Sequence, residues 1–191
     1  MDYPKGKRPN NLKHINYKNR GMTLERDINI SNEYYRDKDI AYIYKKPTPI
    51  GIAKMDYKHG KIIEAYLKEQ STTDYNGLYD GYYIDFEAKE TKTSSFPYNN
   101  IKSHQVKHLI NIDRHKGISF IIIRFTKYNE TYLLMTKDFV KYKENFPDKK
   151  SVPLAYFKEK AYLLKEGYNP RIDYLEVVKK IIGDDYEKKS K

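Results

Sequence analysis

The chain has 191 residues, no cysteine, and a net charge of +11 from 37 Lys and Arg against 26 Asp and Glu. The absence of cysteine excludes a disulfide scaffold, a thiolate zinc site and a cysteine nucleophile. Because no apolar run approaches the ~20 residues of a membrane span and the N-terminus lacks a signal-peptide core, we expect a soluble, cytoplasmic protein. Its basic surface suits a polyanion.

The N-terminal segment carries much of the positive charge. Residues 1–20 hold one acid, Asp2, and are rich in Asn, Pro and Gly without apolar periodicity. We predict a disordered arm that contacts phosphates; a solubilising tail is the alternative interpretation. Residues 184–191 are expected to form a solvated tail. The basic residues of the arm are Lys5, Lys7, Arg8, Lys13, Lys18 and Arg20.

Apolar periodicity predicts an α/β domain over residues 21–183. The most apolar run, 118–125, is expected to be a central strand covered on both faces. Pro47 and Pro49 prevent continued strand pairing, so residues 45–61 are predicted to leave the body of the domain. The other expected elements are a helix over 22–35, strands over 39–44, 62–73 and 82–91, a helix over 100–114, a strand over 130–135, and helices over 138–144 and 171–182.

Two turn signals compete in the segment 71–89, Asn76-Gly77 and Asp80-Gly81. A two-residue turn at Asp80-Gly81 places Tyr79 opposite Tyr82, whereas a turn at Asn76-Gly77 leaves Glu87 facing a residue far upstream. Only the first register gathers the polar side chains on one face of the hairpin. We therefore predict that the turn lies at Asp80-Gly81.

That register brings two carboxylates together. Asp74 falls opposite Glu87, and Thr72 falls opposite Lys89, with Cβ atoms of opposed residues about 5 Å apart. Like charges opposed in a sheet are destabilising, and a hard divalent cation such as Mg²⁺ or Mn²⁺ removes the conflict. The plain alternative is a solvated face on which Lys89 pairs with Glu87 for about 0–1 kcal/mol.

Several motifs point further. Asp74 followed 13 residues later by Glu87-Ala88-Lys89 is similar to the signature of the restriction-endonuclease-like nuclease superfamily. The more specific motifs, in chain order, are NRGMTLE (19–25), KKPTP (45–49), STTDYNG (71–77), YIDFEAKETK (83–92), SFP (95–97), HQ (104–105) and PRIDY (170–174). Together they resemble the RecU family of Holliday junction resolvases over residues 19–175.

This resemblance implies a restriction-endonuclease-like fold, with a mixed sheet flanked by helices and a projecting stalk. The implied activity is that of a homodimeric, Mg²⁺-dependent endonuclease that cuts four-way DNA junctions symmetrically in recombination and repair, with Mn²⁺ as a substitute. A nucleoid-associated location and two partners, a recombinase and a branch-migration motor, are implied as well.

The resemblance also assigns roles to residues. Lys89 is expected to stabilise the transition state, and Glu25 lies where related nucleases carry a helix glutamate near the metal. Asp74 and Glu87 are thus catalytic as well as metal-binding. The implied metal ligands are Thr72, Asp74, Glu87 and Gln105.

Residues 45–61 correspond to the stalk, which enters the open centre of a junction. Family members often carry an aromatic residue where this chain has Leu67, so Tyr66 is expected to stack on junction bases instead. The stretch between Tyr57 and Ile62 is also shorter than in the family. The stalk residues expected to contact DNA phosphates are Lys45, Lys46, Lys54, Lys58 and Lys61.

Other interpretations stay open at this point. His104 and His108 have a spacing that can bind zinc, but no third ligand follows, and we expect them near the active site. Asp85 shares the face of Glu87 and is expected to support it. The rival functions are a related nuclease for other branched DNA and a junction-binding or recombinase-modulating protein with secondary cleavage.

Overall fold

The computed structural model describes residues 24–68 and 72–189, with side chains up to residue 183. The predicted arm over 1–20 lies outside the described residues. The helices are α1 Leu24–Asp37, α2 Ser103–Arg114, α3 Thr136–Asn145, α4 Leu154–Lys160 and α5 Tyr174–Lys189. The strands are β1 Tyr42–Lys45, β2 Ile50–Asp56, β3 Lys61–Leu67, β4 Tyr75–Tyr79, β5 Tyr82–Thr91, β6 Ser95–Pro97, β7 Ile118–Phe125, β8 Glu130–Met135, β9 Ser151–Pro153 and β10 Tyr162–Leu163.

A six-stranded mixed sheet forms the body of the protein, in the order β1-β4-β5-β7-β8-β10. Strands β5 and β7 are parallel, and the other neighbours are antiparallel. Helices pack on both faces, which confirms the predicted α/β class with a mixed sheet flanked by helices. None of the helices in the described part of the chain is long and apolar enough to cross a membrane.

Strand β7 is buried along its whole length, as its continuous apolar run predicts. Phe120 and Ile122 belong to the core that includes residues of α1 and α5. Ile121 and Ile123 belong to a second core with residues of α2, α3 and α4. Because β5 pairs with this strand along its length, the middle of β5 is held between two packed layers.

An aromatic stack fixes the register of β4 and β5. Tyr75 pairs with Phe86 across the hairpin, with ring centroids 4.9 Å apart, and Phe86 stacks on Phe120 of β7 at 4.8 Å. Tyr174 of α5 closes the group, 5.2 Å from Phe86. A slip of one residue would turn these rings to the opposite face of the sheet, so core packing specifies the pairing.

Strands β2 and β3 form a separate two-stranded antiparallel sheet, and β3 is exposed along its length. We call β2, β3 and their connecting turn the projecting hairpin. The strand predicted over 62–73 was assigned to the domain body, but its first part, up to Leu67, pairs with β2 alone. The excursion predicted over 45–61 therefore extends to Leu67. At its base, the ring of Tyr66 lies across Gly51, where a Cβ atom would be 2.4 Å from Tyr66 Cζ.

Other boundaries differ for local reasons. Helix α2 begins at Ser103 because residues 98–100 form a separate 3₁₀ turn. Helix α5 begins at Tyr174, since the amide of Ile172 donates to Ser31 Oγ, 2.8 Å away, and so anchors the preceding segment to α1. The same helix continues to Lys189 through most of the predicted tail. The short elements β6, β9, α4 and β10 were not predicted.

Candidate active site

The hairpin of β4 and β5 turns at Asp80-Gly81, where both residues have positive φ, 49° and 78°. Tyr79 pairs with Tyr82, so the predicted register is confirmed. The competing turn signal, Asn76-Gly77, lies inside β4, and the glycine there has another structural reason. A Cβ atom at Gly77 would lie 2.1 Å from the carbonyl oxygen of Tyr42, so the close approach of β1 requires glycine there.

Asp74 and Glu87 meet where β4 begins. The amide of Asp74 donates to Glu87 Oε2 at 3.1 Å, and the amide of Ala88 donates to Asp74 Oδ2 at 3.2 Å. Glu87 is fully buried, whereas a fifth of the Asp74 side chain is exposed. The backbone thus holds both carboxylates in place, with Asp74 on the solvent side.

Lys89 bridges the two carboxylates. Its ammonium contacts Glu87 Oε1 directly and lies 3.3 Å from Asp74 Oδ2. The expected pairing of Thr72 with Lys89 is wrong, because β4 begins only at Tyr75 and the chain leaves the sheet before that point. Thr72 is exposed, and its Oγ1 lies 3.1 Å from the ammonium of Lys46 instead.

Gln105 joins this group from the first turn of α2. Its Nε2 donates to Glu87 Oε1 at 2.8 Å, and its Oε1 accepts the amide of Lys102 at 3.0 Å. The side chain therefore links the start of the helix to the buried carboxylate. In this arrangement Gln105 orients Glu87, and its amide oxygen is engaged by the helix cap.

The surroundings of Glu87 and Lys89 shift the pKa of both groups. Burial and the nearby charge of Asp74 raise the pKa of Glu87 to about 7, against the lowering effect of Lys89. Burial alone would lower the pKa of Lys89, but the facing carboxylates of Glu87 and Asp74 outweigh it and raise that pKa. Glu87 is therefore a carboxyl group whose charge depends on a cation beside it.

Glu25 lines a cleft together with Lys89. It occupies the first turn of α1, and its carboxylate contacts the ammonium of Lys45, with both side chains nearly half exposed. The carbonyl of Glu25 also accepts the hydroxyl of Tyr75, 3.1 Å away. The cleft has a volume of about 310 Å³ and is lined by Leu24, Glu25, Ala88, Lys89 and Glu90.

A second polar cluster, around Asp85, was only partly anticipated. Asp85 is fully buried and pairs with Asn76 across the hairpin, as the register predicts. Its main ionic partner is Lys46, whose ammonium lies 2.7 Å from Asp85 Oδ2. Lys46 therefore points inward, with 15% of its side chain exposed, and not outward as expected of a phosphate contact. No sequence pattern joins two residues 39 positions apart.

The remaining predicted residues fall in two groups. His108 lies 3.0 Å from Asp85 Oδ2, beside the site as expected. The predicted DNA-contacting residues that are exposed on the projecting hairpin are Lys54, Lys58, Lys61 and Tyr66. Within the described residues, no three or more His, Asp and Glu side chains are grouped so that they could hold a metal ion.

Comparison with known proteins then decides the family. The family model described as RecU, Recombination protein U, matches residues 19–180. The chain belongs to the RecU family. Proteins named Holliday junction resolvase RecU are similar along most of their length. The one from Geobacillus sp. strain WCH70 is 49% identical over 87% of this chain and 86% of its own.

A second curated relative gives the same result. The RecU protein of Streptococcus thermophilus strain LMD-9 is 44% identical over 88% of this chain and 87% of its own. Among solved structures, Archaeoglobus fulgidus Hjc, a Holliday junction resolvase, gives a TM-score of 0.45 at 10% identity. That match covers 73% of this chain and 93% of Hjc. The RecU resemblance seen in the sequence motifs is confirmed.

Proposed function

We propose that this chain is a divalent-metal-dependent endonuclease that resolves Holliday junctions by symmetric phosphodiester hydrolysis in recombination and repair. The observation that carries the proposal is the meeting of Asp74, Glu87 and Lys89 in a RecU-family chain, with Lys89 also lining the adjacent cleft. These are the groups that a metal-assisted phosphodiesterase needs: paired carboxylates for the cation and a fixed positive charge for the phosphate.

The residues present suit a hard divalent cation. Asp74 and Glu87 provide two carboxylates, and the raised pKa of Glu87 reflects a site that gains from added positive charge. Thr72 and Gln105 are the neutral oxygen donors at hand, although the amide oxygen of Gln105 now serves the helix cap. An all-oxygen donor set of this kind suits Mg²⁺ and, as a substitute, Mn²⁺.

Each residue has a distinct task in hydrolysis. Asp74 and Glu87 would hold the cation, which would supply Lewis-acid activation of water and of the phosphoryl group. Gln105 keeps Glu87 oriented through its 2.8 Å hydrogen bond. Lys89 supplies positive charge where the phosphoryl oxygens become more negative, a role that is typically worth about 10²–10³ in rate. Glu25 lines the cleft together with Lys89.

The projecting hairpin is the element suited to recognising the junction. Its exposed basic side chains, Lys54, Lys58 and Lys61, contact phosphates, and Tyr66 stacks on unpaired bases near the junction centre. Lys45 joins them when DNA competes for its bond with Glu25. The N-terminal arm adds phosphate contacts outside the described residues.

A homodimer completes the proposal, because symmetric cutting of a two-fold junction needs two matched sites. An exposed apolar row crosses the sheet near its β1 edge, and it supports such an interface. Tyr42 pairs with Leu78, and Leu78 pairs with Tyr83, with exposures of 67%, 55% and 37%. A recombinase and a branch-migration motor are further partners that rest on the family resemblance.

The deciding experiment compares a synthetic mobile four-way junction with a linear duplex, in Mg²⁺, in Ca²⁺ and in EDTA. Paired symmetric nicks in the junction, with Mg²⁺ only, are the expected result, and Asp74→Asn serves as the inactive control. Preferred cutting of flaps or nicked duplexes would favour the related-nuclease alternative. Tight junction binding without cutting in any metal would favour the junction-binding protein.

A further inference from the structure

The cluster around Asp85 joins four parts of the chain at one buried carboxylate. Asp85 Oδ2 lies 2.7 Å from Lys46 Nζ, 3.0 Å from His108 Nε2 and 3.1 Å from the hydroxyl of Tyr83. The other oxygen, Oδ1, accepts the hydroxyl of Thr73. Every partner is contributed by a different place: the residue before the KKPTP prolines, the turn before β4, strand β5 and helix α2.

Lys46 is central to this cluster because it lies on the segment that leads into the projecting hairpin and contacts the segment that follows it. It precedes β2, and its ammonium lies 3.1 Å from Thr72 Oγ1 and 2.6 Å from Thr73 Oγ1, on the segment that returns from β3. Its backbone amide also donates to the carbonyl of Asp74 at 2.8 Å. Lys46 therefore connects the segment before the projecting hairpin to the segment after it, next to Asp74 of the candidate metal site.

Asp85 is also connected to Glu87 indirectly, through two residues of α2. His108, which Asp85 binds, lies one helical turn after Gln105, and the two share a face of the helix. Gln105 in turn holds Glu87. Asp85 thus has a fixed relation to both carboxylate-bearing segments, although its own side chain is committed to other partners.

Burying a charged side chain in a sheet carries a desolvation cost, even when the charge has several partners. Removing one member of a buried ion pair leaves an uncompensated charge, and an apolar pair of similar size often packs as well or better. Position 85 therefore calls for an explanation beyond packing. The location of Lys46, at the root of the element that meets DNA, supplies one.

We propose, on the basis of the nuclease function proposed above, that Asp85 is a positioning residue for junction recognition. Through Lys46 it holds the projecting hairpin at a fixed angle to the segment that carries Thr72 and Asp74. The hairpin then enters the junction centre while the scissile phosphate reaches the cleft. Without this tie, the hairpin and the cleft engage DNA independently, and the preference for four-way junctions over duplex falls.

The test uses the full chain with three charge-removing variants: Asp85→Asn, Lys46→Met and the double variant that combines them. Lys46→Arg keeps the charge and is the rescue variant. Asp27→Asn is the matched control, because Asp27 is also a buried carboxylate, but its ionic partners, Arg124 at 2.7 Å and Arg171 at 3.5 Å, lie outside residues 46–74.

Two measurements are made on each folded variant. Amide hydrogen exchange over 46–74 reports whether the hairpin root loosens, and binding to junction and duplex in Ca²⁺ reports recognition without cutting. We expect faster exchange at the root and a fall of about tenfold in the junction-to-duplex affinity ratio for each single variant, within the usual range of coupling between sites. The double variant should be no worse than the poorer single, and Lys46→Arg should keep most of the preference.

Each contrary result has a clear meaning. Unchanged exchange at the root in Asp85→Asn and Lys46→Met would overturn the proposal, as would unchanged junction preference despite faster exchange. An equal loss of preference in Asp27→Asn would reduce the effect to general stability and would also overturn it. Failure of the wild-type chain to cut junctions would instead refute the proposed nuclease function, and the exchange comparison would still decide whether Asp85 holds the hairpin.

Discussion

Lys89 Nζ lies 3.3 Å from Asp74 Oδ2 while it also contacts the buried Glu87. In this arrangement the lysine of the acidic-x-Lys motif neutralises the carboxylates of that motif. A divalent cation placed between Asp74 and Glu87 would take over this role and leave the ammonium free to face a phosphate. Under the proposed function, metal loading would therefore be coupled to the availability of Lys89 for catalysis.

The carboxylates are expected to serve chemistry and not DNA affinity. Asp74→Asn and Glu87→Gln each remove one anionic ligand while they preserve the shape of the side chain. Mg²⁺-dependent cleavage should fall by at least about 10²-fold, the scale of losing one preorganised charge, with junction binding in Ca²⁺ retained. Single-turnover cleavage and gel-shift titration measure the two. Parallel loss of binding in folded variants would argue against the metal-site assignment.

Lys89 offers a complementary prediction. Lys89→Met should slow cleavage by about 10²–10³, yet it should tighten binding of Mg²⁺ or Mn²⁺ because the carboxylates lose their competing cation. Calorimetric titration of Mn²⁺ into the wild-type and variant proteins measures this opposite effect. Lys89→Arg, which keeps the charge, is the control for metal affinity. Weaker metal binding in Lys89→Met would show that Lys89 organises the site instead of competing for it.

The raised pKa of Glu87 predicts a pH-dependent stability in the metal-free protein. The folded carboxyl holds its proton up to a pKa of about 7, against an ordinary value of 4.5. The contribution of Glu87 to folding stability is therefore fully present below pH 4.5, and it is lost as the pH rises through about 7. Because a cation binds the ionised form, Mg²⁺ should raise Tm more at about pH 8 than at about pH 6.

Thermal melts across this pH range, with Mg²⁺ and with EDTA, provide the measurement. The Glu87→Gln variant cannot ionise at position 87. Its Tm should therefore lose this pH-dependent change, and the Mg²⁺-induced increase in Tm should no longer depend on pH. A wild-type protein whose Mg²⁺-induced shift is the same at both pH values would contradict the assignment of Glu87 as a ligand.

The projecting hairpin should dominate the salt dependence of junction binding. Replacing Lys54, Lys58 and Lys61 with alanine should lower the slope of log affinity against log salt by about 0.9 for each phosphate that is no longer neutralised. Lys179→Ala, an exposed lysine on α5, is the control and should leave the slope unchanged. A triple variant with the wild-type slope would remove the hairpin from the DNA-binding surface.

Gly77 is expected to be irreplaceable for steric reasons. A Cβ atom there would lie 2.1 Å from the Tyr42 carbonyl oxygen and 2.6 Å from Ile43 Cα, so Gly77→Ala forces β1 away from β4. Such overpacking typically costs about 1–3 kcal/mol, which denaturant melts detect. Gly183→Ala is the matched control, since nothing lies within 4 Å of its Cβ position, and it should be neutral or stabilising.

The parts of this structure that the sequence predicts are those set by local signals. The alternation of β5 and the Asp80-Gly81 turn determine the hairpin register, and the continuous apolar run determines β7. From these alone, Asp74 and Glu87 can be placed side by side. Gln105 came from family motifs, because no periodicity reports which helix residue reaches across to a strand.

The predictions that were wrong concern features that depend on contacts between distant segments. A strand over 62–73 is a sound local prediction, but the choice of β2 as its partner, and its end at Leu67, reflect pairing outside the main sheet. Lys46 looks like one more basic residue in a basic segment. Its burial against Asp85 follows from the folding of the hairpin root, which no local pattern encodes.

The aromatic stack of Tyr75, Phe86 and Phe120 links the formation of the candidate site to the formation of the core. Asp74 precedes one of these rings and Glu87 follows another, so the pairing that buries the rings is the pairing that joins the carboxylates. A chain folded with its strands shifted by one position would bury charge and expose aromatic surface, and it would also have no catalytic pair. A molecule that lacks the native core is therefore expected to lack the proposed catalytic pair as well, so that nuclease activity would depend on correct folding.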